Sequence, residues 1–222
     1  MPAFGDLFTP GDLSTLLLAS VIGYILGALP LAHRVSRRKG VDIFLAGTGL
    51  AGSSNVLRTV GKVSALVVLM GDMAKGILAI FVAQMLGIEG PWLVVPASLA
   101  VVGHWNSVFT RFKGGDALAT FGGSTLVVFE GYGLLVVVFA ILVTVVSKKM
   151  PFPVPHASLF SVIASYTMIV LLSVLNYTDM KVGLAFSALA VIVFAHALLG
   201  HAMRRRVVGI PNDIAEAGRL LK

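Results

Sequence analysis

The chain reads as an all-α protein: a polytopic membrane helix bundle of about seven transmembrane helices, with its N-terminus outside and its C-terminus in the cytoplasm. Three observations predict this. Hydrophobic residues make up 57% of the 222 and charged residues only 12%. The mean hydropathy of +0.96 then implies more apolar surface than a single globule of this length hides. Apolar runs recur at lengths near the roughly 20 residues that cross a bilayer. Lys and Arg gather in alternate connections, as cytoplasmic loops require.

The apolar runs are residues 14–32, 63–86, 91–110, 117–129, 131–147, 157–176 and 182–202. The first follows a segment, residues 1–13, that lacks the cations a signal peptide carries ahead of its apolar run. The second holds Asp72 and Lys75 near its middle, at spacing i, i+3. Opposite charges at that depth need each other as partners, so a structural ion pair is expected, with an ion pathway as the alternative. The third ends in Gly103-His104-Trp105-Asn106. The fourth is short, and with the fifth it could form one helix broken at Glu130, Gly131 and Gly133. One crossing of about 30 residues would exceed 40 Å, so two short spans joined by a tight turn are predicted. Met150 to Pro155 then reads as a rigid extended link. The sixth run carries Ser158 and Ser161 near its start, and the seventh ends in His196, His201 and Arg204-Arg205-Arg206.

With these boundaries, fifteen of the seventeen Lys and Arg residues fall on one face, including Arg34, Arg37, Arg38, Lys39, Arg58 and Lys62 in the first long loop. The opposite connections hold acids and a single cation, Lys181. No repeat or second domain interrupts the chain. It is read as one integral membrane domain, residues 1–222, with the bundle over 14–202 and a basic cytoplasmic tail over 203–222. The net charge of +7 therefore speaks to topology and anionic lipid heads, and no nucleic-acid partner is expected.

Chemistry is narrowed by what is missing. Zero cysteines exclude disulfides, thiolate metal sites and cysteine nucleophiles. There is no G-x-S-x-G elbow and no H-E-x-x-H pair, and no histidine is followed by Asp after four intervening residues. His196 and His201 are five apart and share no helix face. No metal and no cofactor are expected.

Three polar clusters remain, all on the cytoplasmic side. Gly47-Thr48-Gly49-Leu50-Ala51-Gly52-Ser53-Ser54-Asn55 ends at Arg58. A dinucleotide fold is disfavoured, since no parallel sheet surrounds the glycines. Closely spaced glycines still let amides converge on an anion, with Thr48, Ser54 and Asn55 as neutral donors and Arg58 as a planar fork. The bland reading is a polar turn whose arginine sets topology. In the second cluster, His104 lies about 10 Å before a basic loop by helical rise. That loop, Lys113-Gly114-Gly115-Asp116, precedes a helix whose N-terminus adds positive potential, and Asp116 is an N-cap by residue type. His104 could equally be a hydrogen-bonded bundle histidine. The third cluster is His201 with the three arginines, which could simply anchor to lipid heads.

Taken in order, these residues resemble the acyl-phosphate-dependent glycerol-3-phosphate acyltransferase family (PlsY-like), from about Gly23 to His201. Gly47 to Arg58 is similar to its first motif, with Thr48 for Ser and Ser54 for Thr. Asp72, Lys75 and Gly76 match the stretch that follows. Gly103, His104, Phe109, Phe112, Lys113, Gly114, Gly115, Ala119 and Thr120 match the second motif, and Ser158 to Ser161 a Ser-Leu-x-Ser stretch. Leu50, Asp116 and Ala117 stand where the family has Asn, Lys and Gly. In the third motif His201 stands for the His and Arg204 occupies the Asn position.

The resemblance implies transfer of a fatty acyl group from acyl phosphate to the 1-hydroxyl of glycerol 3-phosphate, giving lysophosphatidic acid at the cytoplasmic face of a bacterial plasma membrane. It implies Thr48, Arg58, His104 and His201 as catalytic residues. Ser54, Asn55, Lys113, Gly114, Gly115, Ser158 and Arg204 would bind substrate phosphate. The expected partners are the two substrates and membrane lipids, and the oligomeric state is left open, a monomer included. The alternatives are a family member that binds lipid phosphate or a partner enzyme without this chemistry, and a small transporter using Asp72 and Lys75.

Overall fold

A computed structural model describes residues 13–150 and 157–208, with side chains other than those of 148, 157–159 and 200–208. Among the described residues the fold is entirely helical. The helices are α1 (Leu13–Ala28), α2 (Leu31–Arg37), α3 (Ser53–Thr59), α4 (Lys62–Met85), α5 (Val94–Trp105), α6 (Leu118–Val128), α7 (Glu130–Lys149), α8 (Ala157–Val174) and α9 (Met180–Val208), with 3-10 turns at Gly90–Leu93 and Val108–Thr110. Five stretches among them are long and apolar enough to cross a membrane: Leu13–Arg37, Lys62–Met85, Gly90–Thr110, Glu130–Ser147 and Met180–Leu199. The described parts of α6 and α8 are shorter apolar helices. Leu17, Leu18, Met70, Leu142 and Ile192 are exposed on the outside of the bundle, as a surface solvated by lipid allows.

The first apolar run, expected as one helix, is two. Pro30 has no amide hydrogen to offer the preceding turn, so α1 ends at Ala28 and α2 starts beyond the proline. The Ala28 carbonyl, which the break leaves without its helical partner, accepts the Ser107 hydroxyl at 2.5 Å. The expected tight turn between the fourth and fifth runs is present. Glu130 adopts φ 47, and the amides of Tyr132 and Gly133 both donate to the Phe129 carbonyl.

α1 packs on α5 and α4, α4 on α6, and α7, α8 and α9 on their neighbours in sequence. Glycines set the closest crossings. A Cβ on Gly27 would strike the Ala100 carbonyl, and one on Gly123 the Met73 carbonyl. Small residues at such contacts let membrane helices approach backbone to backbone, where dispersion replaces the hydrophobic effect. The core behind them is aromatic. Phe121 stacks on Tyr166 with centroids 5.0 Å apart, Phe129 meets Phe186 edge-on at 5.6 Å, and the Tyr166 hydroxyl pairs with Thr125 Oγ1 at 2.6 Å. Buried in the bundle, that phenol needs such a partner.

The first long loop is a folded unit. Ile43 and Val56 are completely buried against Ala32, Ala65 and Val68, forming a second, smaller apolar core under α3.

Adjacent glycines on α6 provide a paired test. Gly123→Ala should lower the thermal midpoint of the detergent-solubilised protein, because overpacking typically costs about 1 to 3 kcal/mol. Gly122→Ala, where nothing lies within 4 Å of the added carbon, should leave the midpoint unchanged or raise it, since alanine is favoured over glycine in a helix by up to about 1 kcal/mol. Equal midpoints for the two variants would refute the close α4–α6 crossing.

Candidate active site

The break at Pro30 opens a narrow crevice at one end of the bundle. Its walls are the Gly27–Ala32 backbone on one side and the loop after α5 on the other, and Lys75, His104, Lys113 and Gly114 line it. These residues come from α4, α5 and the α5–α6 loop, and the assembly rests on where that loop returns.

By helical rise alone, His104 should stand well before the basic loop. The chain instead doubles back: the Gly115 amide donates to the His104 carbonyl at 3.2 Å. A Cβ on Gly115 would meet the His104 ring and the Ala51 carbonyl, so only glycine allows this approach. The same loop reaches the first cytoplasmic loop, where the Ala51 amide donates to the Gly114 carbonyl at 3.1 Å. Gly114 faces the crevice. Gly115 does not fill the expected role of an anion-facing amide, because its N–H is already taken.

Asp116 also departs from expectation. The N-cap of α6 is Ala117, in the left-handed region at φ 60, with no side-chain cap. Asp116 contributes its carbonyl to Trp105 Nε1 at 3.2 Å. Position 117 is where the resemblance expects glycine, and the positive φ supplies the reason: Ala117 carries a left-handed backbone at a cost of about 1 kcal/mol.

His104 is buried and held at Nδ1 by Thr120 Oγ1, 3.2 Å away. The expected ion pair forms, with Lys75 Nζ 2.7 Å from Asp72 Oδ1 and side-chain exposures of only 6% and 2%. It is not isolated, since the same carboxylate oxygen is 3.8 Å from His104 Nδ1. Sequence reasoning set Lys75 apart as structural, yet it lines the crevice. The usable signal was its depth, because ionisable groups inside a bundle mark functional sites by default.

The glycine-rich loop of the first motif is organised by Asn55, which is 1% exposed. Asn55 Oδ1 accepts the Thr48 amide at 3.1 Å, and Nδ2 donates to the carbonyls of Ile43, Ala46 and Leu50 at 3.0 to 3.2 Å. The side chain expected to meet phosphate is therefore spent on its own loop, as a positioning residue. Gly47, at φ 57, leaves room for that amide. Leu50, the Asn replacement, buries an apolar side chain while its carbonyl serves Asn55. Thr48 is half-buried in the loop, and Ser54 and Arg58 are exposed on α3, outside the crevice lining. Lys113 is exposed at the crevice mouth, with Nζ 5.8 Å from the centroid of Phe44.

Ser158, His201 and Arg204 have side chains outside the described residues. His196 is described, stacked on Trp105 with centroids 3.9 Å apart. Beside the crevice, sharing Pro30 with it, a shallower cleft is lined by His33, Arg34, Arg37, Arg38 and Phe109. Among the described residues no cluster of three or more His, Asp or Glu could hold a metal ion.

Asn55→Ala should destabilise the loop by about 1 to 3 kcal/mol, the cost of leaving buried partners unsatisfied. Asn55→Asp should be worse, since a buried carboxylate would face carbonyl oxygens. Limited proteolysis between Val41 and Val60 reads this out directly, and unchanged cleavage rates in both variants would remove the positioning role.

Residues 17–204 match the glycerol-3-phosphate acyltransferase family. Glycerol-3-phosphate acyltransferase 1 of Deinococcus radiodurans is 42% identical over 127 residues, a match spanning 57% of this chain and 64%, less than two thirds, of the relative. The glycerol-3-phosphate acyltransferase of Geobacter sulfurreducens is 31% identical over 81% of this chain and 89% of its own length. The fold is similar to the crystal structure of PlsY, an integral membrane glycerol 3-phosphate acyltransferase, in its glycerol 3-phosphate form. That likeness has a TM-score of 0.69 and 27% identity, and covers 87% of this chain and 92% of that one. A match over nearly the whole bundle, in sequence and in backbone, places the chain in the glycerol-3-phosphate acyltransferase family.

Proposed function

We propose that this chain is a membrane acyltransferase that moves a fatty acyl group from acyl phosphate to the 1-hydroxyl of glycerol 3-phosphate, yielding lysophosphatidic acid for phospholipid synthesis. The observation that carries the reading is the crevice itself, where Lys75, His104, Lys113 and Gly114 converge beside a glycine loop in a chain of this family. Both substrates are anionic, and acyl phosphate is a mixed anhydride with a good leaving group. The ester C–O bond forms as the bond from acyl carbon to phosphate oxygen breaks, and the hydroxyl proton leaves with the phosphate. Such a reaction asks the protein for positioning and charge stabilisation more than for a nucleophile.

In this reading Thr48 orients the reacting groups and His104, fixed by Thr120, hydrogen-bonds beside the acyl-transfer point. Lys113, Gly114, Ser54 and Arg58 serve the phosphates, Asn55 and Gly115 hold the loops that present them, and Ser158, His201 and Arg204 complete the site from α8 and α9. The protein forms a single domain with seven crossings in a bacterial plasma membrane, N-terminus outside and C-terminus inside. The distribution of Lys and Arg supports that orientation and puts the site on the cytoplasmic side.

Purified protein in detergent or liposomes, given labelled glycerol 3-phosphate with acyl phosphate, should make lysophosphatidate, and acyl-coenzyme A or acyl carrier protein should not replace the donor. No product from any of the three overturns the proposal. Arg58→Ala should lower kcat/KM by about ten- to a hundred-fold, the 1.5 to 3 kcal/mol of a charged hydrogen bond. Arg58→Lys should recover only part of this, because the planar fork is lost. Wild-type kinetics in a folded Arg58→Ala protein would leave that arginine with topology alone.

A further inference from the structure

We propose that the basic cleft beside the crevice is a lipid site: Arg34, Arg37 and Arg38 hold the phosphate head of an anionic membrane phospholipid, whose tails lie along the exposed ridge of α1. The inference is independent of the acyl-transfer reading.

Three observations carry it. The first is unbalanced charge. Pro30, His33, Arg34, Arg37, Arg38 and Phe109 line the cleft, so its wall holds three arginines and no acid. All three arginines are exposed, and among the described residues none of their guanidinium groups has an ion-pair or hydrogen-bond partner. Asp42, the one acid in the first long loop, turns its Oδ1 to the Phe44 amide at 3.0 Å. An unpaired guanidinium fork suits phosphate, which accepts two parallel hydrogen bonds from it.

The second is room, together with an unmet polar atom. The cleft has a volume of about 410 Å³, within the roughly 300 to 1,000 Å³ of small-ligand sites. On its wall His33 keeps a buried Nδ1 that no protein group meets, and such an atom calls for a partner from outside the chain.

The third is continuity with the lipid-facing surface. Leu13, Leu17, Val21, Ile25 and Leu29 are all exposed, and at intervals of four they form one ridge along α1. The ridge stops at Pro30, where α2 begins and brings in the arginines. From Leu29 back to Leu17 is about 18 Å by helical rise, enough for the roughly 15 Å of hydrocarbon in one leaflet. A head group in the cleft therefore has its tails against the ridge, and Phe109, exposed on the cleft wall, adds apolar contact. A free anion would use the arginines alone.

Full-length protein purified in detergent is melted with added phosphatidylglycerol, phosphatidylcholine or inorganic phosphate, and bound lipid is titrated by native mass spectrometry. Binding is read without turnover, so the outcome does not depend on acyl transfer. Phosphatidylglycerol should raise the melting midpoint and bind saturably, and the other two should protect far less. Equal protection by phosphatidylcholine removes the role of the charge, and equal protection by inorganic phosphate removes that of the tails; either result overturns the proposal. Arg34→Gln/Arg37→Gln, which keeps Arg38 and Lys39 to hold the topology, should weaken phosphatidylglycerol binding tenfold or more. Lys62→Gln/Lys149→Gln removes the same charge from exposed lysines outside the cleft and should change binding less than twofold. Equal weakening by the two pairs would leave only the general attraction of basic residues for anionic lipid, and the site would fall. If the glutamine variant does not fold, Arg34→Lys/Arg37→Lys keeps the charge and loses the forks. It should bind at least threefold more weakly than the parent, and unchanged binding overturns the proposal.

Discussion

The contact on which this site depends is the backbone approach of Gly114 and Gly115 to the end of α5. One hydrogen bond to the His104 carbonyl and one from the Ala51 amide tie this loop to the end of α5 and to the first long loop, which is distant in sequence. No side chain can occupy position 115 without displacing either the His104 ring or the Ala51 carbonyl. Remove that approach and Lys113 is a solvated loop lysine, while His104 is an ordinary bundle histidine under Thr120. A glycine pair next to a lysine thus has two tasks here. Gly114 shapes the wall, and Gly115 is the hinge post on which the wall stands.

The departures from the family pattern become intelligible on the same footing. Leu50 replaces an Asn in a loop whose organising amide is Asn55, and that loop needs a carbonyl at position 50 more than it needs a side chain. Ala117 takes up a left-handed backbone that glycine would adopt freely, a strain small enough for a buried methyl against the main core to offset. Asp116 gives its carbonyl to the Trp105 indole, and its side chain lies outside the crevice lining.

Much of the fold was legible because lipid imposes a simple rule. Every long apolar run turned out helical, though the first and third are each broken into shorter pieces, and the turn at Glu130 follows from length arithmetic. The break at Pro30 was missed, although a proline inside an apolar run removes an amide from the ladder. The site was less so. Hydropathy reports depth and says nothing of which neighbour a residue meets, so Lys75 was seen as buried and paired but not as sharing a crevice with His104, 29 positions away. Asn55 was misjudged for a related reason. An amide side chain in a glycine-rich loop serves a ligand or the loop itself, and only the completed turn distinguishes them.

The length of α6 bears on how molecules reach the crevice. Eleven residues rise about 17 Å, against a hydrocarbon slab of about 30 Å. A helix that short cannot have both ends at the water boundary. In the proposed orientation, with the acidic hairpin tip at Glu130 at the outer surface, the end that carries Ala117 and the crevice stops more than 10 Å short of the other. That orientation would put the basic floor inside the slab, at the bottom of a dimple. A water-soluble ion would descend into it, whereas a molecule with a long hydrocarbon tail could slide in sideways between helices without its tail ever leaving the oil.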